Sequence, residues 1–152
     1  MLMTPKKYTM VAAGAEGPSE LNAFDNALLA AGIGNLNLLR VSSIMPPNCE
    51  SADTITMAPG SLTPTAYGTI TSSVPGELIA AAIGIGWTKD SYGVIMEFEG
   101  HCTREEAEAT VAQMVRDAFV QRNEDLVDLK VLGVEHRVKS IGCVFAAVAL
   151  WY

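Results

Sequence analysis

The chain has 152 residues, enough for one compact domain with its own hydrophobic core and too few for two ordinary domains. Apolar residues make up 49% of it and charged residues only 18%, a composition that excludes a disordered chain. The formal net charge of −7, with basic residues few and scattered, argues against a nucleic-acid partner.

The sequence favours a cytoplasmic protein without a membrane partner. Its longest clean apolar run, at 141–152, is too short to cross a bilayer, and the first seven residues lack the order of a secretory signal. The three cysteines are odd in number and widely spaced, which is typical of reduced thiols. With the two histidines they form no metal-ligand spacing, so no metal is expected.

The first predicted elements are a short strand and an amphipathic helix. The strand covers 8–13, and Pro18-Ser19-Glu20 opens a helix that glycines at 32 and 34 bring to an end. Asp25 lies at the edge of the apolar stripe of this helix. The stripe consists of Leu21, Phe24, Ala27, Leu28 and Ala31.

A set of strands occupies the middle of the chain. The first, at 37–43, runs into Pro46-Pro47, after which 48–64 is rich in Pro, Ser, Thr and Gly and is predicted to be irregular. Short turns separate three further strands, predicted at 66–72, 77–88 and 92–99.

The clearest element is a second helix, predicted from Thr103 to about Arg122. Thr103 and Glu106 form a capping box, and apolar residues at helical spacing follow it. Strands at 126–138 and 142–151 complete the order β-α-β-β-β-β-α-β-β. This order predicts a single α+β domain over 1–152, a layered α/β/β/α sandwich with largely antiparallel sheets and outer helices at about 19–31 and 103–122.

The sequence lacks the signatures of the common enzyme classes. It has no G-x-S-x-G elbow, no phosphate-binding loop and no dinucleotide fingerprint after a strand. None of its lysines has a setting suited to pyridoxal phosphate, so this cofactor is not expected either.

Two adjacent serines end the strand predicted at 37–43. A strand on one side of Ser42-Ser43 and the Pro46-Pro47 corner on the other can hold the peptide between them in a strained state, and strain tends to collect at functional sites. A second pair, Ser72-Ser73, also precedes a turn and is predicted to have an ordinary turn role. The local pattern alone leaves both a chemical and a structural role open for Ser42-Ser43.

Several blocks of sequence closely resemble the pyruvoyl-dependent arginine decarboxylases. The similarity runs from about Val11 to the C-terminus with little gapping, and the block Ser-Ser-Ile-Met-Pro-Pro is specific to that family. The blocks are LNAFD at 21–25, AGIGN at 31–35, VSSIMPP at 41–47, PTAYG at 64–68, VPGE at 74–77, IMEFEG at 95–100, EEAE at 105–108 and FAAVALWY at 145–152.

The resemblance implies a zymogen that cuts itself between Ser42 and Ser43. The products would be a short chain, 1–42, and a long chain, 43–152, that begins with a covalent pyruvoyl group made from Ser43. Condensation of the substrate amine with this group would provide the electron sink that decarboxylation needs. The implied reaction converts L-arginine to agmatine and CO2, either as a step toward polyamines or as a means of consuming protons in acid.

The resemblance also assigns roles to individual residues. Glu97 matches the family's proton donor, and its apolar strand should raise its pKa, whereas Glu99 is a weaker candidate on the same face. Asp25 matches the aspartate that faces the guanidinium, and the carboxylate freed at Ser42 would be a second anion. Asn37 matches an asparagine near the cleavage site that could stabilise an oxyanion. The expected pocket walls are Leu21, Gly34 and Leu36.

The family forms trimers with sites between subunits, so a homotrimer of cleaved protomers is implied here. Two alternatives stay open. One is a pyruvoyl-dependent decarboxylase of another amino acid, such as histidine or lysine, although Asp25 favours a long cationic side chain. The other is a trimeric binding module that never processes, which intact mass would reveal as a single full-length species.

Overall fold

The computed structural model describes residues 2–152, which contain two α-helices and nine strands. The helices are α1 (Glu20–Ala30) and α2 (Arg104–Gln121). Neither is long and apolar enough to cross a membrane. The strands are β1 (Lys7–Glu16), β2 (Asn37–Arg40), β3 (Ile44–Met45), β4 (Glu50–Ser51), β5 (Leu62–Ser72), β6 (Leu78–Trp87), β7 (Gly93–Gly100), β8 (Asp128–Arg137) and β9 (Gly142–Trp151).

The strands form two sheets packed face to face. The five-stranded sheet has the order β2-β5-β9-β1-β4, and the four-stranded sheet has the order β3-β7-β6-β8. Pairing within residues 2–152 is antiparallel except between β1 and β4 and between β2 and β5. The predicted α+β sandwich with largely antiparallel sheets is therefore confirmed.

The alternation of side chains between the two faces of each strand determines which residues form the core. Every second residue of β6 points to the gap between the sheets and meets the inward residues of β9. The two sets are Ile79, Ala81, Ile83 and Ile85 from β6 and Val144, Ala146, Val148 and Leu150 from β9. The opposite faces of the sheets are covered by the helices, α2 on the four-stranded sheet and α1 on the five-stranded sheet.

Both helices begin with the caps that their sequences predict. The Thr103 hydroxyl accepts the Glu106 N–H at 3.1 Å and the Glu106 carboxylate accepts the Thr103 N–H, which completes the capping box of α2. The Ser19 hydroxyl accepts the Asn22 N–H at 3.1 Å at the start of α1.

Three predicted boundaries were wrong. The strand predicted at 37–43 ends at Arg40, because the chain then leaves the five-stranded sheet and pairs with β7 as β3. The segment 48–64 is not wholly irregular, since it holds β4 and the start of β5. Strand β1 continues to Glu16 because its pairing with β9 extends unbroken to Gly142.

Glu16 fastens the end of β1 to the turn between β8 and β9. Its carboxylate contacts His136 Nε2 and accepts the N–H groups of Ser140 at 2.8 Å and Lys139 at 3.3 Å. Burial would by itself raise the pKa of Glu16, but these hydrogen bonds hold that pKa at about 2. The folded state therefore favours the ionised carboxylate.

Replacing Glu16 with glutamine should lower the melting temperature near neutral pH by about 2–4 °C. A depressed carboxyl pKa stabilises the fold above the ordinary value of 4.5, and this stabilisation disappears as pH falls through about 2. The deficit of Glu16→Gln should therefore shrink as the pH of the thermal melt is lowered. Glu124→Gln, at an exposed position after α2, is the control, and a deficit independent of pH would contradict the prediction.

Candidate active site

The chain passes from one sheet to the other at residues 41–43, here called the sheet crossing. Strand β2 is the edge of the five-stranded sheet and pairs with β5, whereas β3 is the edge of the four-stranded sheet and pairs with β7. The Val41 N–H donates to the Thr65 carbonyl at 3.2 Å, and the Ser43 carbonyl accepts the Ile95 N–H at 2.8 Å. The crossing is thus fixed to a different sheet at each end.

Ser43 has a strained backbone within this crossing. Its φ is 139°, in a region that residues with a side chain rarely adopt and that costs about 1–3 kcal/mol. By contrast, Ser72-Ser73 forms an ordinary turn, in which the Ser72 hydroxyl accepts the Val74 N–H at 3.2 Å and neither serine has positive φ. The two serine pairs that look alike in sequence therefore differ in conformation.

Glu97 lies close to the sheet crossing on β7. The β3–β7 register, continued from Ile44 and Val94, places Ser43 opposite Ile95, which lies two residues from Glu97 on the same face of β7. Glu97 Oε2 is buried and has no hydrogen-bond partner within residues 2–152. Burial raises the pKa of Glu97, the charge of Arg40 opposes that rise and the charge of Glu99 adds to it. A carboxyl in this setting retains its proton more readily than one in water.

Gly68 on β5 makes room for the two glutamates of β7. A Cβ at this position would lie 2.9 Å from Glu99 Oε2 and 3.3 Å from Glu97 Cβ. The glutamates therefore share the strand face that points to the five-stranded sheet, as their spacing of two predicts. Any side chain at position 68 would displace them.

Two cavities flank Ser42 and Ser43. The larger, of about 400 Å³, is mostly apolar, and its walls include the exposed side chains of Leu2, Leu62 and Tyr152. The smaller, of about 210 Å³, lies against β7 and the end of α2, with Arg122 in its wall. Ser42 and Ser43 therefore border both cavities.

The other predicted site residues lie elsewhere in the chain. Asp25 and Leu21 are exposed on α1, and Leu21 retains 76% of its accessible surface. Gly34 and Leu36 line a separate cavity of about 240 Å³ after α1. Asn37 begins β2, and its side-chain amide donates to the Gly60 carbonyl at 3.0 Å.

These positions divide the predicted residues into two sets. The cleavage half-site consists of Ser42, Ser43 and Glu97. The α1 half-site consists of Leu21, Asp25, Gly34, Leu36 and Asn37, which lie on α1, in the segment after it or at the start of β2. Helix α1 covers the outer face of the five-stranded sheet, whereas Glu97 faces the gap between the sheets. In a single copy of the chain, the five-stranded sheet therefore lies between α1 and Glu97.

Sequence reasoning did not single out Arg40, which binds the Tyr67 carbonyl and stacks on the Tyr67 ring. It is the only basic residue between Lys7 and Lys89, and it immediately precedes the sheet crossing on a strand of otherwise neutral residues. This isolated charge next to the serines was the feature of the sequence that could have drawn attention to Arg40. Nothing in the sequence indicates that Gly68 packs against Glu97, because that contact depends on how the two sheets pack.

A strained serine bound to a strand that carries a glutamate of raised pKa suits an enzyme that uses the serine hydroxyl as a nucleophile on its own chain. Comparison with known proteins agrees with this class. The family model described as pyruvoyl-dependent arginine decarboxylase matches residues 7–152.

Relatives named pyruvoyl-dependent arginine decarboxylase match over nearly the full length. The protein of Methanocaldococcus jannaschii is 51% identical over 150 residues, covering 97% of this chain and 91% of the relative. That of Pyrococcus abyssi is 47% identical, covering 90% and 89%, and that of Thermococcus kodakarensis is 44% identical, covering 98% and 96%. The chain belongs to the pyruvoyl-dependent arginine decarboxylase family, which confirms the resemblance found in its sequence.

Proposed function

We propose that this chain decarboxylates L-arginine to agmatine and CO2 with a pyruvoyl group made from its own Ser43. The observation that carries the proposal is the strained Ser43 backbone, which is bound to the strand that carries Glu97, a glutamate whose Oε2 is buried without a hydrogen-bond partner within residues 2–152. Family membership supports the overall reaction. The pyruvoyl carbonyl supplies the electron sink for the carbanion that loss of CO2 leaves behind.

The residues around Ser43 fit such a group. The hydrogen bond from the Ile95 N–H goes to the Ser43 carbonyl, which stays in the long chain after cleavage. The bond from the Val41 N–H to Thr65 stays with the short chain. Both new ends therefore keep an anchor on a neighbouring strand, one on β7 and one on β5.

Self-cleavage follows from the position of the Ser43 hydroxyl. Its oxygen attacks the Ser42 carbonyl carbon, the peptide C–N bond breaks, and the hydroxyl proton moves to the freed nitrogen, leaving an ester. Loss of the Cα proton of residue 43 expels the Ser42 carboxylate, and hydrolysis of the resulting enamine releases ammonia. Because the product has no amide nitrogen and a trigonal Cα at residue 43, cleavage removes the φ strain.

Glu97 serves as the proton donor after CO2 has left. Its buried Oε2 has no internal partner, so the protonated carboxyl is available to the substrate Cα. Asp25 would bind the guanidinium of the substrate, because the planar guanidinium can donate two parallel hydrogen bonds to one carboxylate.

We infer that each active site is completed by a neighbouring copy in a homotrimer. One chain holds the cleavage half-site and the α1 half-site apart, and a second copy can bring its own Asp25 to Ser43. Large apolar side chains exposed beside the Ser43 cavity, including Leu2 and Leu62, support an interface there. We also expect a cytoplasmic enzyme, since Cys49, Cys102 and Cys143 are free thiols.

Co-expression of Asp25→Asn with Glu97→Gln tests the shared site. Each variant alone should be cleaved, and Asp25→Asn should raise KM for arginine. Random mixing should restore about a quarter of the wild-type sites, because a site works only when its cleavage half-site comes from Asp25→Asn and its α1 half-site comes from Glu97→Gln. In the control pair, Ser43→Ala with Glu97→Gln, both variants have a defective cleavage half-site, so mixing them should restore no activity. Mixed assemblies without restored activity would contradict the shared site.

The reaction itself is tested on the wild type by intact mass and by product analysis. Two fragments, with agmatine and CO2 formed from arginine, are expected. Preferential turnover of histidine or lysine would correct the substrate, and a single full-length species releasing no CO2 would overturn the proposed function.

A further inference from the structure

Arg122 borders the cleavage half-site through the smaller of the two cavities that flank Ser43. It is the residue directly after α2, and it lines this cavity of about 210 Å³ together with Ser42 and Ser43. The remaining wall residues are Ile44, Val94 and Met96. Among the wall residues described, Arg122 is therefore the one with a charged side chain.

Most of the hydrogen-bond donors of Arg122 are available to a ligand. A guanidinium has five N–H groups, and the contact from Arg122 Nη1 to the Ala118 carbonyl is long, at 3.4 Å. None of the ion pairs formed within residues 2–152 includes Arg122. An anion that forms in the cavity would thus meet a cation that no carboxylate of the same chain neutralises.

The cavity and the Glu97 side chain lie on opposite sides of β7. Val94 and Met96 pack in the cluster beneath α2, whereas Glu97 faces the gap between the sheets. A substrate whose Cα accepts a proton from Glu97 lies on the gap side of the strand. The anion best placed to meet Arg122 is therefore one that forms at Ser42, and not the carboxylate of the substrate.

Self-cleavage creates an anion at Ser42 in its second step. In the ester, the Ser42 carbonyl carbon is bonded to the side-chain oxygen of residue 43. The Cα proton of residue 43 passes to water, its electron pair forms the Cα–Cβ double bond, and the Cβ–O bond breaks with both electrons on the departing Ser42 carboxylate. A cation that hydrogen-bonds this carboxylate stabilises the leaving group as its charge develops.

We propose that Arg122 binds the Ser42 carboxylate as it leaves and so accelerates the elimination that precedes the pyruvoyl group. Arg122 is thus a catalytic residue of self-processing. This role rests on the proposed function, in which Ser43 attacks its own chain. The pairing leaves recognition of the substrate guanidinium to Asp25.

Hydroxylamine tests this step, because it attacks esters and so competes with elimination. Its attack on the ester gives a long chain that begins with an intact Ser43, heavier by one ammonia than the pyruvoyl chain. Wild type and Arg122→Met are made by cell-free synthesis, and their fragments are followed by intact mass with and without hydroxylamine. Arg122→Met should form the pyruvoyl chain about 10- to 100-fold more slowly, as expected for the loss of a hydrogen bond to a charged group. The fraction diverted to the Ser43 chain should rise.

Three further variants separate charge from structure. Arg122→Lys keeps the charge and should recover part of the rate, and Arg116→Met, which removes an exposed charge on α2, should behave as the wild type. Guanidinium ion at low concentration should speed elimination in Arg122→Ala, whereas sodium ion should not, a pattern that a purely structural role would not produce.

The diverted fraction also decides against the proposal. A fraction in Arg122→Met equal to that of the wild type would overturn it, even if cleavage as a whole were slower, because elimination would then be unaffected. A wild type that stays uncut would instead overturn the proposed function, and with it this role of Arg122.

Discussion

Replacing Ser43 with alanine should leave a single uncut chain and abolish the release of CO2 from arginine. In the proposed cleavage, the hydroxyl oxygen of Ser43 replaces the peptide nitrogen in the first step, and alanine has no substitute for it. Without cleavage no ketone forms, so the electron sink is missing as well. Intact mass under denaturing conditions measures the first effect, and CO2 release measures the second.

The second serine pair provides a matched control for this experiment. Ser73→Ala, in the ordinary turn beside Ser72, should give the two wild-type fragments and full activity. Ser43→Gly should also stay uncut, but it should melt at a higher temperature than Ser43→Ala, because glycine adopts φ near 139° without strain. Fragments from Ser43→Ala would contradict the assignment of the nucleophile.

The parts of the fold that the sequence predicted depend on local rules. The capping box of Thr103 and Glu106 starts α2 because its hydrogen bonds lie within one turn of helix. The alternation of apolar residues in β6 predicted its inward face for a similar reason, since side chains on a strand alternate between faces. Neither feature needs information from a distant part of the chain.

The sheet crossing could not be predicted in the same way. Leu38, Leu39 and Val41 make residues 37–43 suited to a strand, but their sequence does not say that two different sheets bind the two ends. We attribute the strain at Ser43 to this attachment to two sheets, which depends on strands far away in the sequence. The same holds for Gly68, whose close approach to Glu97 depends on the packing of β5 against β7.

For the candidate site, the sequence predicts residues but not their arrangement. The family resemblance implies roles for Ser43, Glu97 and Asp25, which stay predictions, but it could not say that one chain keeps Asp25 on the outer side of the five-stranded sheet. Sequence similarity records which residues occur together and not which copy supplies them. The proposal of a shared site follows only when both halves are located in the structure.

Glu97→Gln should leave self-cleavage intact and lower kcat for decarboxylation by about 10²–10⁴-fold. Cleavage should survive because glutamine preserves the shape of the side chain and the proposed nucleophile, the Ser43 hydroxyl, is unchanged. Decarboxylation should fail because an amide cannot deliver the proton that a buried carboxyl holds.

The pH dependence separates loss of the donor from a general disturbance of the site. Burial raises the pKa of Glu97, so the wild-type donor stays protonated to higher pH than an ordinary glutamate and kcat falls as pH rises through that pKa. In Glu97→Gln this alkaline limb should vanish. In Glu99→Gln it should move to lower pH with activity retained, because the Glu99 charge helps to raise the pKa of Glu97. Wild-type turnover by cleaved Glu97→Gln would exclude Glu97 as the donor.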